Sequence, residues 1–579
     1  MKRIFFCLSA WLVLSVSFHP AFCQEKITVL QVDLLIDGTG REPIKDAVIV
    51  IEGNRVKEVG RKGVVPIPQG AKVIGTKGRT ALPGFIDAHS HYTDWQGELY
   101  LNQGVTTALA IGSLSIDWIT AQREGIAKGK IVGPRIFAAG PHLNSPRPGE
   151  RASSIRDLAA QRRTEISVRT AEEARKAVQE LILAGADIIK VYEYTTPEAI
   201  KAAAEEAHKA GKPIGGHSEN IFVSGQNGYD FVEHGYAVVA TSIKDPKKRE
   251  ELSRKRMAVR DGISTPEYHS YADMENFDEL IRFMVEHKIY LTPTLATFWR
   301  TYSPKVGRFK EQELALLNAV PYLPPYFKAN VRAHFDGTAT IAKDLRDRVL
   351  TGYQKTQEFV RRFVQAGGKI RAGSDPTSIL PALAVHTEME LLVEAGLTPM
   401  EAILAATRNS AELLRKEDDL GVIKPGSLAD ILVVEGNPLE DIRKTRNIKM
   451  VFKEGNKIKL GYSKEFKNPI PLLGGDRPQP EIDRITPESV TQKGGPITLT
   501  IEGANFMSTS IATLDGKPLP TKVEFFKRPY PQNFDRGRRI TAIIDPKLIE
   551  KPGTYTITVV ELGRGGVVSN PQYLIVKFR

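Results

Sequence analysis

Two histidines one residue apart, His89 and His91, end a short apolar run and are the first candidates for chemistry in this sequence. Side chains of a strand alternate between two faces, so both imidazoles would point to the same side and could share one metal ion. A buried strand of a parallel barrel carries such ligands at its carboxyl end. By itself a His-x-His pair is a weak signal, and it predicts a metal site only if further ligands follow.

Four more candidate ligands follow at the ends of later predicted strands. They are Lys190, His217, His234 and Asp375. Each has an ordinary alternative, because a lysine at a strand end is usually solvated, a lone histidine is often buried in a core, and an aspartate before a proline can begin a turn. Their shared position at strand ends favours one common site, and these six residues are called the six candidate ligands below.

The elements that must position them alternate between short apolar strands and amphipathic helices, which is typical of parallel βα units. The predicted strands lie near Phe85, Thr106, Arg135, Asp187, Pro213, Asp230, Ile289 and Lys369. Thr196-Pro197-Glu198 has the pattern of a capped helix start. We therefore predict an α/β fold with a (β/α)₈ TIM barrel over residues 79–417, with insertions at 239–275 and 300–350.

The motif at 82–91, the later ligands, the helix at 388–399 and the return segment at 421–430 together resemble the amidohydrolase superfamily. The resemblance is to its binuclear members near the prolidase-like and imidazolonepropionase-related enzymes. It extends from about residue 27 to residue 447.

Strand-like segments flank the predicted barrel on both sides. Residues 48–51 and 56–59 read as a hairpin, and a similar pattern returns at 430–437 and 450–457. Neither end has enough strands for a sheet of its own, so we expect the two to pair. The resemblance implies a composite β-sandwich built from residues 24–78 and 418–462.

The same resemblance implies two divalent metal ions and a division of the ligands between them. It gives His89, His91 and Asp375 to one ion, His217 and His234 to the other, and Lys190 to both as a carbamate formed with carbon dioxide. Imidazole and carboxylate donors favour zinc. A hydroxide between the ions would be the nucleophile, because metal binding lowers the pKa of water. Asp375 would act as general base and then as general acid.

Residues near the site could contact a substrate. His142 follows the third strand and Tyr192 follows Lys190, with Tyr194 next to it. Arginines of the loop after the third predicted strand, called the third loop below, could bind a substrate carboxylate through their planar donor fork. They are Arg147 and Arg151, followed by Arg156, Arg162 and Arg163. His386 lies in a helical pattern, for which we expect a structural role.

We expect a hydrolase that cleaves the amide or peptide bond of a small molecule, a dipeptide or an N-acyl amino acid. The alternatives are a cyclic-amide hydrolase or a deaminase of the same superfamily, and, outside enzymes, a metal-free binding or scaffold protein. Deaminases often carry a glutamate three residues after the histidine that follows the fifth strand, which is His217 here. In this chain Glu219 is two residues after His217, and Asn220 holds the third position. Lys190 also favours the hydrolase.

Residues 1–23 read as a secretory signal peptide, with Lys2 and Arg3 before an apolar run too short to span a membrane. The only cysteines, Cys7 and Cys23, lie in this segment, so thiol chemistry is excluded from the processed protein. Lipidation of Cys23 is the alternative to cleavage. We expect an exported, periplasmic or extracellular protein without a membrane span after processing.

The net charge of +12 is dispersed among acidic residues, and no nucleic-acid-binding motif accompanies it. A small-molecule substrate is therefore expected, with no nucleic acid partner and with a homo-oligomer left open.

A Pro/Gly-rich linker at 463–479 precedes an all-β segment, 480–579. Alternating strands between turns in this segment resemble the immunoglobulin-like IPT/TIG fold. It contains no constellation of catalytic residue types, and contact with a surface or a polysaccharide is the role left open for it.

Overall fold

The computed structural model describes the chain in segments, which are 27–112, 115–145, 165–257, 263–376, 378–469, 480–491, 495–506, 510–524, 537–561 and 568–577. The predicted signal peptide, most of the predicted linker and the five arginines of the third loop lie outside them. Within these segments, no helix combines the length and the apolar character that a membrane crossing requires.

Strands from both ends of the first 460 residues form one seven-stranded sheet. In order across the sheet they are Asn456–Lys457, Ile448–Lys453, Ile431–Glu435, Lys72–Pro83, Ile27–Leu35, Ile44–Glu52 and Arg55–Arg61. Leu432 lies opposite Leu82 in an antiparallel ladder, which is where the two ends of the chain meet. Glu52 lies opposite Arg55, so the predicted hairpin is confirmed.

This sheet curls back on itself. Its edge strand donates a backbone hydrogen bond from Val56 to the carbonyl oxygen of Ser427 at 2.9 Å, just before the strand Ile431–Glu435 begins. The curl encloses an apolar core to which both ends contribute, with Ile49 from the first part and Ile431 from the second.

The eight segments that were predicted as strands are joined in a closed series by strand pairing and backbone hydrogen bonds, and this series is called the ring below. Seven are strands, namely Phe85–Ser90, Val105–Ala110, Arg135–Ala138, Ile189–Val191, Ile214–Gly216, Phe231–Glu233 and Tyr290–Thr292. The eighth segment, 369–372, pairs with the seventh through a parallel bridge between Leu291 and Ile370. Ala88 N–H donates to the carbonyl oxygen of Ala372 at 2.9 Å, and this bond joins the eighth segment to the first.

Asp187 N–H donates to the carbonyl oxygen of Ala138 at 2.7 Å and joins the third segment to the fourth. Two short strands, His142–Asn144 and Glu165–Ser167, follow the third segment and extend the ladder beside Ile189–Val191. Because all eight segments run in parallel, their carboxyl ends meet at one end of the ring.

Helices surround the ring and fill both predicted insertions. The predicted cap is confirmed: Thr196 accepts a hydrogen bond from Ala199 N–H at the start of Pro197–Lys209. The other α-helices are Gly97–Asn102, Ile116–Ala127, Ala171–Leu183, Ile221–Gln226, Tyr236–Ser242, Pro246–Met257, Thr265–Tyr268, Phe277–Glu286, Leu295–Trp299, Val306–Ala319, Pro325–Ala339, Lys343–Gln365, Leu383–Glu394, Pro399–Ala405 and Arg408–Leu413. Short 3₁₀ helices are His269–Tyr271, Met274–Asn276, Ile442–Arg446 and Pro546–Ile549.

The C-terminal segment is all-β, as predicted. One sheet has the order Glu481–Thr486, Ile497–Phe506, Gly537–Ile544, Thr521–Glu524. The other has the order Ser489–Thr491, Gln572–Lys577, Gly553–Glu561, Ser510–Leu514, Lys517–Pro518. Buried residues of both sheets, such as Ile501 and Val559, share one apolar cluster. This segment therefore has a core of its own.

Candidate metal centre

Asp375 is surrounded by three of the predicted histidines at the carboxyl end of the ring. Its Oδ1 lies 3.2 Å from His91 Nε2 and 3.7 Å from His89 Nε2, and its Oδ2 lies 3.8 Å from His234 Nδ1. One potential ligand atom from each of His89, His234 and Asp375 fits within 4.8 Å. The structure thus brings together residues that are almost 300 positions apart in the sequence.

His217 and Lys190 complete the group. The His217 ring centroid lies 4.9 Å from that of His234 and 3.9 Å from that of Tyr192. Lys190 is buried, and its Nζ has no hydrogen-bond partner within the described parts of the chain. Burial lowers the pKa of Lys190, although the nearby carboxylates of Glu233 and Asp375 oppose the shift.

Glycines allow the ligand side chains to lie so close to the backbone. A Cβ atom at Gly112 would come within 2.2 Å of His91 Nδ1, and one at Gly216 would come within 3.0 Å of Lys190 Cδ. Both positions therefore exclude any larger residue while the ligands keep these places.

The backbone is strained at two of the candidate ligands. His234 has a φ of 65° and Asp375 has a φ of 39°, both in the left-handed region that non-glycine residues rarely occupy. Thr294, with a φ of 50°, places its Oγ1 2.8 Å from His234 Nδ1. Strain of this kind persists where the surrounding structure holds it, and it concentrates at functional sites.

A buried carboxylate orients His89. Glu233 accepts a hydrogen bond from His89 Nδ1, and Arg371 Nη2 donates to Glu233 at 3.0 Å and to Thr292 Oγ1 at 2.6 Å. Although burial opposes ionisation, the interactions with His89 and Lys190 hold the pKa of Glu233 well below its usual range. Sequence reasoning missed Glu233; the available signal was a single carboxylate in an otherwise apolar strand next to a ligand.

A second carboxylate, also missed, orients His217. Glu193 Oε2 accepts a hydrogen bond from His217 Nδ1 at 2.9 Å. Burial lowers the pKa of His217 to about 4, so the ring is neutral at physiological pH, as a metal ligand must be. Burial alone would raise the pKa of Glu193, but His217 and then Arg256 hold it well below the usual range.

Asp87 fixes the turn that carries Asp375. It accepts hydrogen bonds from Ser374 N–H at 2.8 Å, from the Ser374 hydroxyl and from Tyr100 Oη at 2.9 Å. Asp375 itself is buried, which opposes ionisation, yet its interactions with His89, His91 and His234 hold its pKa well below the usual range. The Asp375 carboxylate is therefore ionised and able to bind a cation or accept a proton.

The predicted substrate residues fall into three groups. His142 and Tyr192 lie beside the ligands, because the Tyr192 ring is stacked on His142 at 3.5 Å and contacts His217 on its other side. His142 Nε2 lies 3.2 Å from Glu165 Oε2. Tyr194 is largely exposed, and its N–H donates to Asn144 Oδ1 at 3.2 Å. Arg147 and Arg151 lie outside the described residues.

Two other residues named in the sequence have partners outside the six candidate ligands. His386 is buried, with Nδ1 3.0 Å from Thr445 Oγ1 and Nε2 donating to the carbonyl oxygen of Gln103 at 2.9 Å, so its structural role is confirmed. Glu219 accepts hydrogen bonds from Ser253 and Arg256.

Comparisons with known proteins agree with this geometry. Ochratoxinase from Aspergillus niger is 25% identical over 480 residues, which cover 72% of this chain and 83% of ochratoxinase. A crystal structure of a Xaa-Pro dipeptidase with methionine in its active site superposes with a TM-score of 0.52 and 22% identity, covering 75% of this chain and all of the dipeptidase. A Bifidobacterium longum protein provisionally described as a prolidase gives a TM-score of 0.55 and 22% identity, covering 76% of this chain and 96% of that protein.

The structural likenesses show a shared fold, to which this chain adds a β-rich C-terminal region. The amidohydrolase family model matches residues 80–458, which include all six candidate ligands and the last strands of the seven-stranded sheet. On this match, the chain belongs to the amidohydrolase family.

Proposed function

We propose that the protein is an exported hydrolase that cleaves a C–N bond with the help of two divalent metal ions. The observation that carries the proposal is Lys190, whose amino group is buried and has no hydrogen-bond partner within the described residues. A buried ammonium without a hydrogen-bond partner would be costly. A neutral amine can instead react with carbon dioxide, and the resulting carbamate has two oxygens that can bind metal ions.

The residues present fit two such ions. Imidazole, carboxylate and carbamate are donors that suit zinc, which we propose as the metal. His89, His91 and Asp375 would hold one ion, His217 and His234 would hold the other, and the Lys190 carbamate would be shared. Carboxylates behind His89 and His217 are the outer partners that metal-binding histidines usually have.

When bound, the ions would supply a Lewis acid and an activated water molecule. The chain contributes the proton transfer and the orientation of the substrate. Asp375 is the proposed base, because its carboxylate is ionised and buried among the histidines, and it would return the proton to the leaving nitrogen. His142 and Tyr192 are proposed to contact the substrate from the side of His217.

A dipeptide or an N-acyl amino acid is the proposed substrate class. Support comes from the names of two similar proteins, a Xaa-Pro dipeptidase and ochratoxinase. Arg147 and Arg151 keep their proposed role of binding the substrate carboxylate. The engagement of Glu219 with Arg256 and Ser253 favours a hydrolase over a deaminase, since a deaminase would need a glutamate free to transfer protons.

The domain organisation is proposed in the same way. Backbone hydrogen bonds around the parallel ring support a (β/α)₈ barrel at 79–417, and the curled seven-stranded sheet supports a composite sandwich from 24–78 and 418–462. The two-sheet core supports an immunoglobulin-like IPT/TIG domain at 480–579. Export after removal of 1–23, the homo-oligomer and a polysaccharide contact of the C-terminal domain stay predictions.

The test is a substrate screen with zinc-loaded protein prepared in the presence of bicarbonate. Dipeptides, N-acyl amino acids and lactams are assayed for release of a free amine, with Lys190→Ala as the matched inactive control. We expect turnover of dipeptides and N-acyl amino acids. Turnover of lactams alone would move the assignment to the cyclic-amide hydrolases, and equal amine release by wild type and Lys190→Ala would contradict the proposed site.

A further inference from the structure

An arginine from the first predicted insertion reaches into the site. Arg256 lies in the last turn of the helix Pro246–Met257, and its side chain is only 6% exposed. Its Nη2 lies 3.1 Å from Glu219 Oε1 and 3.4 Å from Glu193 Oε1. One guanidinium group therefore holds two carboxylates together.

Arg256 is linked to His217 and His234 by two separate contacts. Through the first, Glu193 uses its other oxygen to accept the Nδ1 proton of His217. Through the second, the guanidinium carbon lies 4.1 Å from the ring centroid of Tyr236. The Tyr236 ring is stacked on His234 at 5.2 Å and meets His217 edge-on at 5.6 Å.

The half of the site that contains His89 is held by different residues. His89 is oriented by Glu233, which Arg371 holds from the eighth segment of the ring. Each half of the candidate centre thus has its own arginine–glutamate–histidine chain. Only the chain that begins at Arg256 starts in an inserted helix.

We propose that Arg256 is a positioning residue, which fixes the orientation of His217 through Glu193 and thereby makes the inserted helix a component of the second metal site. This inference rests on the proposed function, because it takes His217 and His234 as ligands of one ion. It adds a role for residues 246–257, for which only an insertion was predicted.

The physical reason is electrostatic. Without the guanidinium, the carboxylates of Glu193 and Glu219 would lose the positive charge that now lies within 3.4 Å of both, and the burial of Glu193 would leave their repulsion weakly screened. Glu193 would move away from Glu219 and lose its alignment with His217. Loss of such an outer partner usually lowers metal affinity about 10- to 100-fold.

If the role of Arg256 were purely structural, the expected effect of removing it would be different. Loss of a buried, stacked arginine would then lower the stability of the whole protein and affect both ions alike. Neutralising Glu219 separates the two interpretations, because it removes the repulsion without restoring the arginine's packing.

The experiment uses the full chain and four variants: Arg256→Met, Glu219→Gln, the double variant of these two, and Lys255→Met. Lys255 lies next to Arg256 on the same helix, but it is exposed and pairs with Glu251 at the surface, so it is the matched control. Zinc per chain and the affinity of each ion are measured by competition with a chelator. In metal-free protein labelled with ¹⁵N-histidine, NMR reports which nitrogen of His217 carries the proton.

We expect Arg256→Met to bind one zinc ion as wild type does and the second about 10- to 100-fold more weakly. Its metal-free form should lose the fixed Nδ1–H tautomer of His217. The double variant should recover part of the affinity and of the tautomer signal, whereas Glu219→Gln and Lys255→Met should resemble wild type.

Wild-type affinity for both ions in Arg256→Met, or an equal loss at both sites without recovery in the double variant, would overturn the proposal. If Arg256→Met does not fold, Glu193→Gln takes its place and should show the same selective loss. Wild-type protein that binds fewer than two ions would contradict the proposed function, and the His217 tautomer would still decide the role of Arg256.

Discussion

Glu233 and His89 are joined by a hydrogen bond that crosses from the sixth strand of the ring to the first. Because Glu233 accepts the proton of Nδ1, the Nε2 lone pair of His89 is left facing Asp375, 3.7 Å away. Glu233 also immediately precedes His234, so one strand supplies both a candidate ligand and the group that orients another. Arg371 neutralises the buried carboxylate.

Glu233→Gln tests this relationship. The amide is similar in size but carries no charge, so His89 loses its ionic partner and becomes a weaker donor to a metal ion. We expect zinc affinity to fall about 10- to 100-fold at the ion held by His89. Chelator competition measures it, with the exposed Glu279→Gln as control. Unchanged affinity in Glu233→Gln would show that the hydrogen bond does not prepare the ligand.

The sequence was sufficient to predict that the six candidate ligands lie close together, because each lies in or just after a short apolar segment, and these segments end on one side of the ring. The structure accordingly brings His89 and Asp375 together although they are far apart in the chain. The alternation of strands and helices was also sufficient to predict the repeated βα units, since the apolar pattern of each element reflects how that element is buried.

The carboxylates and arginines that orient the ligand histidines could not be predicted from strand ends. Glu193 and Arg256 meet only because an inserted helix brings Arg256 to the residues that follow the fourth and fifth strands, and neither residue has a periodic signal of its own. Glu233 could have been suspected from a lone charge in an apolar strand, but its partner Arg371 is fixed only by closure of the ring.

Lys190→Ala should remove most activity, because the shared ligand is lost. Small carboxylic acids such as acetate should restore part of it by occupying the place of the carbamate. Turnover is measured with and without added acid, and Lys212→Ala, which removes a lysine that pairs with Asp187 before the fourth strand, is the control. Near-wild-type turnover in Lys190→Ala would exclude the mechanism with two metal ions.

Carbon dioxide should control the metal content. Metal-free protein reconstituted with zinc and bicarbonate should hold up to two ions per chain, whereas reconstitution in carbon-dioxide-free buffer should leave one or fewer, because the carbamate cannot form. Elemental analysis after desalting gives the ratio. Equal zinc content in both preparations, or one ion at most even with bicarbonate, would favour a site for a single ion.

Glu388 should make the stability of the metal-free protein depend on pH. Burial raises its pKa to about 8 from an ordinary value of 4.5, although backbone N–H groups of Ala296 and Leu295 oppose the shift. The folded protein therefore keeps a proton that the unfolded chain releases. Its contribution to stability is complete below about pH 4.5 and is lost as pH rises toward 8, by up to about 1.4 kcal/mol per pH unit.

Glu388→Gln cannot release a proton and should flatten this part of the stability profile. Denaturant unfolding at pH 5, 6.5 and 8 measures the effect in the variant, in wild type and in the exposed control Glu286→Gln. Wild type and Glu286→Gln should lose more stability between pH 5 and 8 than Glu388→Gln loses. Parallel profiles for all three proteins would show that Glu388 ionises normally in the fold.

Truncation separates the C-terminal all-β segment from the rest of the chain. A chain that ends after Asp476 keeps the whole seven-stranded sheet, and it keeps Asn468, whose side-chain amide donates to the carbonyl oxygen of Asp94 at 3.2 Å and to Gln122 Oε1 at 2.7 Å. The segment that it loses has its own core and none of the six candidate ligands. We expect this shorter chain to fold, bind zinc and turn over substrate.

A chain that ends after Glu417 loses the strands Ile431–Glu435 and Ile448–Lys453 and so exposes the edge of Lys72–Pro83. It also loses core residues such as Val433 and Phe452, which leaves apolar surface and unpaired backbone groups that favour aggregation. Soluble yield, zinc content and turnover of both truncations are compared with the full chain. If the chain ending after Asp476 is soluble and binds zinc but is inactive, the C-terminal segment must help to shape the active site or hold an essential oligomer, and the proposed domain organisation is wrong.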